Sequence, residues 1–225
     1  MGVLHGVYVF GSVARGDRDL RSDLDLLAVV ADGHGKVEEQ QVYAHVPSEL
    51  SELEPSISWY GARRLGEMFA NGELFGWHLY QEAVPLFERR PIIAMLGKPS
   101  PYEDAVADVA SFEKVLSRIP DQLDASPENS FYELGLVYVC LRNICMAASS
   151  KLCDRPDFSR YSPFRLTGIP PVPLSHDEYD LAMSCRMAGQ RGFAPPAPFG
   201  PSLVGNIYAR LAPWIAEIRE KLESK

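Results

Sequence analysis

Apolar and polar positions change rhythm along the chain. Up to residue 90 the apolar residues fall in short runs broken by turns. Val7–Phe10 is one such run and ends at Gly11-Ser12; an Arg- and Asp-rich stretch follows, and Ser22-Asp23 leads into a second run, Leu24–Val30. This pattern predicts two strands framing a polar loop. Weak alternation over Val37–Val46 predicts a further strand, Pro47–Pro55 an acidic connection with a helical turn, and Ile57–Tyr60 a short strand of residues suited to a pleated surface. Leu65, Met68 and Phe69 have the spacing of an amphipathic helix over 62–69 that Asn71-Gly72 stops, and a second helix over 73–83 turns Leu74, Phe75, Trp77 and Leu79 toward a sheet. Val84–Phe87 reads as an edge strand, because Pro85 lacks the amide a central strand needs.

Beyond residue 90 helical spacing takes over. Ser100-Pro101-Tyr102-Glu103 has the form of a capping box with Pro at the first helical position, which predicts a helix over 101–119. Ser126-Pro127-Glu128 opens a long apolar helix through Leu134, Val137, Tyr138, Leu141 and Ile144, and Ser175-His176-Asp177-Glu178 caps a third. The last helix, 202–222, is expected to kink at Pro213. Two Pro-rich segments, 169–173 and 194–201, read as ordered crossings between helices. The fold class is therefore α+β: a domain over 1–90 with a mixed β-sheet flanked by helices, then an all-helical bundle over 91–225.

Charge narrows the choice of partner. With 30 acidic and 22 basic residues and a net charge of −8, the chain has no general attraction for a polyanion, so extended nucleic acid suits it less than a small molecule or a protein. No run approaches the ~18–20 consecutive apolar residues of a membrane span, and the first residues lack the flank and core of a secretory signal. Cys140, Cys145, Cys153 and Cys185 form no C-x-x-C pair, which predicts reduced thiols in a cytoplasmic protein.

The candidate chemistry lies in residues 10–30. On a strand Asp23 and Asp25 point the same way, so two carboxylates share one patch, which a divalent cation would neutralise. Hard oxygen ligands favour Mg²⁺. Gly11-Ser12 lets backbone approach a ligand closely and offers N–H groups and a hydroxyl to phosphate oxygens, while Arg15 adds a forked cation. The plain alternative is a hairpin with a solvated Asp pair. Taken with the upstream Gly-Ser, the pair points instead to a nucleoside triphosphate held through a metal.

Gly11-Ser12-Val13-Ala14-Arg15-Gly16, ten residues between Ser12 and Asp23, and Ser22-Asp23-Leu24-Asp25 together resemble the signature of the polymerase-β-like nucleotidyltransferase superfamily, minimal nucleotidyltransferase type. The similarity extends to about Phe87. It implies metal-dependent transfer of a nucleoside monophosphate, AMP expected from ATP, to a hydroxyl of a small molecule or protein, with release of pyrophosphate. By the same resemblance Gly11 and Ser12 hold phosphates and Asp23 and Asp25 hold Mg²⁺. The family supplies a third carboxylate from a neighbouring strand, and here Ser56 stands at that place. A hydroxyl is no fixed anionic ligand. Glu54, two residues earlier and on the same face if the strand extends that far, restores an acid in one reading; in the other the chain is a catalytically impaired, nucleotide-binding, antitoxin-like regulator.

Three residues are candidates on the acceptor side. Glu82 or Glu133 would serve as general base if it faced the cleft expected between the domains, and Arg142 would contact phosphate or acceptor. The plain reading is exposed helical glutamates and a snorkelling arginine. His78 is expected as a packed histidine. Arg155, Arg160 and Arg165 lie around Phe158–Phe164, where basic groups interleaved with aromatics suit a nucleotide or an RNA end, although an aromatic loop packed against a helix with solvated arginines is the commoner arrangement. The helical half loosely resembles the domain that follows in kanamycin-type nucleotidyltransferases. It lacks the Arg-then-His pattern of HEPN ribonucleases after Arg142, and addition of nucleotides to RNA ends is opposed by the acidic charge.

Overall fold

The computed structural model describes residues 3–20, 22–194 and 196–224. The chain forms two compact units, Met1–Glu103 and Asp104–Lys225.

The first unit is built on a four-stranded mixed sheet of order β3-β2-β1-β4, with β1 Leu4–Val9, β2 Leu24–Val30, β3 Pro55–Gly61 and β4 Val84–Glu88. β1 pairs antiparallel with β2 and with β4, whereas β2 and β3 run parallel. Period-two alternation gives β2 two apolar faces. Leu24, Leu26, Ala28 and Val30 join Leu4, Val7, Val9 and Val42 in one core; Leu27 and Val29 join Tyr8, Phe10, Leu65, Met68, Phe69, Leu79 and Ile93 in the other. The second core lies under α3 Ala62–Ala70, α4 Leu74–Glu82 and α5 Ile92–Leu96. Ile93, on α5, belongs to this second core. Pro85 sits on the edge strand, as its missing amide requires.

Several expectations need correction. Residues 11–15 form a short helix, α1 Gly11–Arg15, where a loop was expected. Residues 37–46 contain no strand but a helical turn, α2 Glu39–Tyr43, because Val42 and Val46 lie one turn apart and the Glu and Gln residues at 38–41 favour helix. Ser48–Leu50 supplies the expected helical turn as a 3₁₀ segment. No helix begins at Pro101. The Ser100 carbonyl accepts the Trp77 indole N–H at 2.9 Å, and the Ser100 amide donates to Phe69 at 2.9 Å. A Cβ on Gly72, at φ 67°, would meet the Ser100 and Pro101 carbonyls, so that stretch is fixed as extended chain over the α3–α4 turn.

The second unit is helical: α6 Ala105–Leu116, α7 Ile119–Ala125, α8 Ser130–Leu152, α9 His176–Arg191 and α10 Pro201–Glu223. α8 lies against α6, α9 and α10. It is apolar along nearly its whole length because neighbours cover it. With the 3₁₀ turn before it, it has the length and composition of a membrane span, yet 61% of its apolar window is buried inside the protein, as befits a core helix. Gly135 lets α9 approach closely; a Cβ there would stand 3.1 Å from the Arg186 amide nitrogen. The capping box at Ser175 is complete, with Glu178 N–H donating to Ser175 Oγ at 3.1 Å and Ser175 N–H to Glu178 Oε2 at 2.9 Å. Pro213 falls inside α10 on its exposed side, between the buried Leu211 and Trp214.

Candidate functional site

The C-terminal end of β1 and the N-terminal end of β2 are tied by a hydrogen bond from Phe10 N–H to the Asp25 carbonyl, 3.1 Å long. Gly11 follows with φ 72°. A Cβ at this position would run into the Asp25 carboxylate, so glycine is required both for the backbone conformation and for the contact. α1 then makes a single turn and closes at Gly16, φ 75°, with Asp17 N–H donating to the Ser12 carbonyl at 3.1 Å. Ser22 is buried and folds the descending limb: its Oγ accepts from Asp19 N–H at 2.9 Å and donates to Asp19 Oδ1 at 3.1 Å. Asp23 is thereby delivered to the threshold of β2.

Asp25 and Asp23 follow the same alternation as Leu27 and Val29, so both belong to the α3–α4 face of the sheet, half-buried at its end. Asp25 is the registered partner of Ser56, and Leu24 that of Pro55. The Leu24 amide donates to the Glu54 carbonyl at 2.9 Å, which holds residue 54 alongside 23–24. Ser56 and Glu54 are exposed. Among the described residues no group of three or more His, Cys, Asp or Glu side chains is assembled for a metal. Two carboxylates on hard-oxygen terms nevertheless fit Mg²⁺, which commonly takes one or two carboxylates and fills the rest of its shell with water and substrate phosphates.

The other groups near the turn converge on Glu82, at the end of α4. Its Oε2 accepts from Gly11 N–H at 3.2 Å and Arg15 Nη1 at 2.7 Å, and lies 2.8 Å from His78 Nε2. Arg15 Nε donates to Asp17 Oδ2 at 3.1 Å. His78 is packed, with its ring edge-on to Phe10 at 5.2 Å. Sequence reasoning expected neither this placement of Glu82 nor its link to Arg15. The only available signal was the His78–Glu82 spacing of one helical turn.

Glu133 and Arg142 lie on α8 of the second unit. Glu133 is buried, and burial alone pushes its carboxyl pKa up. Arg142 is half-buried and donates from Nη2 to the Phe158 carbonyl at 3.1 Å. The aromatic residues around Arg160 and Arg165 pack inward: Phe158 is buried, Phe164 stacks on His176 at 3.9 Å, and Tyr179 Oη donates to the Arg160 carbonyl at 2.7 Å.

Residues 4–59, which run from the start of β1 into β3, match the family described as a nucleotidyltransferase domain. A solved nucleotidyltransferase-like protein from Exiguobacterium sibiricum 255-15 is similar to the chain at 15% identity, over 97% of this chain and 69% of that one, with a TM-score of 0.40. No curated protein matches.

Proposed function

We propose that the protein transfers a nucleoside monophosphate, AMP from ATP, to a hydroxyl of a small molecule or protein and releases pyrophosphate. The observation that carries this reading is the junction at which the Gly11-Ser12 turn abuts the Asp25 carboxylate, inside a segment that matches a nucleotidyltransferase domain. Gly11, whose own N–H is held by Glu82, lets the turn approach the phosphates closely, Ser12 offers its N–H and hydroxyl, and Arg15 offers its guanidinium. Asp23 and Asp25 hold Mg²⁺, which when bound neutralises charge on the phosphates and on the attacking oxygen. The acceptor oxygen bonds to the α-phosphorus as the bond to the pyrophosphate oxygen breaks, and the acceptor's proton passes to a base. Glu54 takes the part of the third acid, since Ser56 supplies only a hydroxyl; in support of this reading, the main-chain hydrogen bond from Leu24 N–H to the Glu54 carbonyl keeps residue 54 beside 23–24. The four cysteines are free, in keeping with a cytoplasmic setting.

The pairing of Asp25 with Ser56 favours a second reading, a nucleotide-binding regulator without turnover, antitoxin-like in its action on a partner. Incubation with Mg²⁺ and ATP labelled at the α-phosphate separates the two. A labelled product, whether the protein itself or an added acceptor, is expected. Binding of Mg-ATP without any labelled product overturns the enzyme and leaves the regulator.

A further inference from the structure

The strongest polar convergence in the first unit is a single carboxylate oxygen. Glu82 Oε2 meets donors from three places: the Gly11 amide where α1 begins, the Arg15 guanidinium one turn further along, and the His78 ring one turn back on α4. The Glu82 side chain is 8% exposed, against 15% for His78 and 21% for Arg15. The carboxylate therefore stands behind the turn, on its interior side, while the turn itself opens outward. Two consequences follow. An oxygen already receiving these donors is poorly placed to take a proton from an acceptor, which argues against the general base considered from the sequence. And the guanidinium is gripped at Nη1 by Glu82 and at Nε by Asp17, while Nη2 has no partner among the described residues. A planar cation fixed on two nitrogens with the third left over is pre-organised to donate to one more anion.

We propose that Glu82 is a positioning residue: from behind the Gly11–Arg15 turn it aims the Arg15 Nη2 group at the terminal phosphates of the nucleotide. The inference rests on the transferase-type nucleotide site proposed above. Charge-assisted hydrogen bonds of this kind lose about half their strength when one partner becomes neutral, and the aim is lost with them. Glu82→Gln keeps the size and an acceptor oxygen but removes the charge that holds Arg15.

The test measures Mg-ATP affinity by titration calorimetry for the full chain, for Glu82→Gln, for Arg15→Ala and for the double variant, with a thermal melt of each. Glu82→Gln is expected to weaken Mg-ATP binding roughly tenfold, and to change it less than twofold when Arg15 is already Ala, because its action passes through Arg15. An unchanged affinity in Glu82→Gln overturns the positioning role. So does a loss of the same factor in both backgrounds, which marks a general structural effect. If the unaltered protein binds no Mg-ATP, the nucleotide site itself fails, a result distinct from either of these. Should Glu82→Gln melt below the titration temperature, His78→Gln replaces it, with a smaller loss of affinity and the same dependence on Arg15 expected; independence from Arg15 overturns the role.

Discussion

Ser56 is the strand partner of Asp25 in the parallel β2–β3 pair, so a neutral hydroxyl occupies the one registered position beside that carboxylate. Register partners project on the same face of a sheet. Replacement by an acid at this position brings a third carboxylate to the edge without moving the backbone. Ser56→Asp is expected to raise label transfer, and to lower stability in chelator by up to ~1 kcal/mol through repulsion between neighbouring carboxylates. Mg²⁺ should restore the melting temperature. Melting curves with and without Mg²⁺, beside the transfer assay, check both parts; an unchanged rate with an unchanged melt refutes the placement.

Asp23→Asn and Asp25→Asn remove charge with little change of shape. Each is expected to cut transfer by a factor of ~100 or more, equivalent to about 2.7 kcal/mol of barrier, if the pair holds the metal. Single-turnover assays at saturating Mg²⁺ measure the loss. Wild-type turnover in either variant removes the metal assignment.

Gly11 and Gly16 share a left-handed backbone but not an environment. At Gly16 nothing lies within 4 Å of an added Cβ, whereas at Gly11 the Asp25 carboxylate occupies that space. Gly16→Ala should cost about 1 kcal/mol, the ordinary penalty for a left-handed alanine. Gly11→Ala should cost about 3 kcal/mol, because strain and displacement of the carboxylate add. Urea unfolding of the two variants gives the comparison directly, and equal losses would contradict the close contact.

Glu133 offers a test in the second unit. Burial raises its carboxyl pKa, so the folded protein holds the proton more tightly than the unfolded chain does. Its contribution to stability is full below the ordinary carboxylate range and is lost as pH rises through the raised value. Glu133→Gln is therefore expected to raise the melting temperature at pH 7, with the difference vanishing near pH 4. If the same variant loses transfer activity while gaining stability, Glu133 acts on the acceptor; if it gains stability at full activity, it has no part in the reaction.

Much of the first unit was legible because its signals are local. The alternation from Leu24 to Val30 fixed which residues face which layer, and Gly11-Ser12 with Asp23-Asp25 fixed where the two strand ends meet. Errors arose where a local pattern was overruled from a distance. Ser100-Pro101-Tyr102-Glu103 looks like a helix start, but the carbonyls a helix would use are held by Trp77 and pressed against Gly72. The Glu82 cluster joins residues 67 and 71 positions apart in sequence, and nothing in the intervening stretch announces that α4 returns to the turn after β1. In the second unit the Ser175 capping box was readable because all its partners lie within one helical turn.

The parallel pairing of β2 with β3 also dictates an order of assembly. β1 and β2 are antiparallel neighbours joined through residues 10–23 and can pair early, whereas the parallel β2 and β3 need a longer crossover, here residues 31–54, to close before they meet. During synthesis both aspartates therefore leave the ribosome well ahead of the strand that flanks them. A nascent chain shorter than Gly61 carries the carboxylates without Glu54 and Ser56 set beside them, and the edge on which the proposed chemistry depends is completed late in folding, by contacts of long sequence separation.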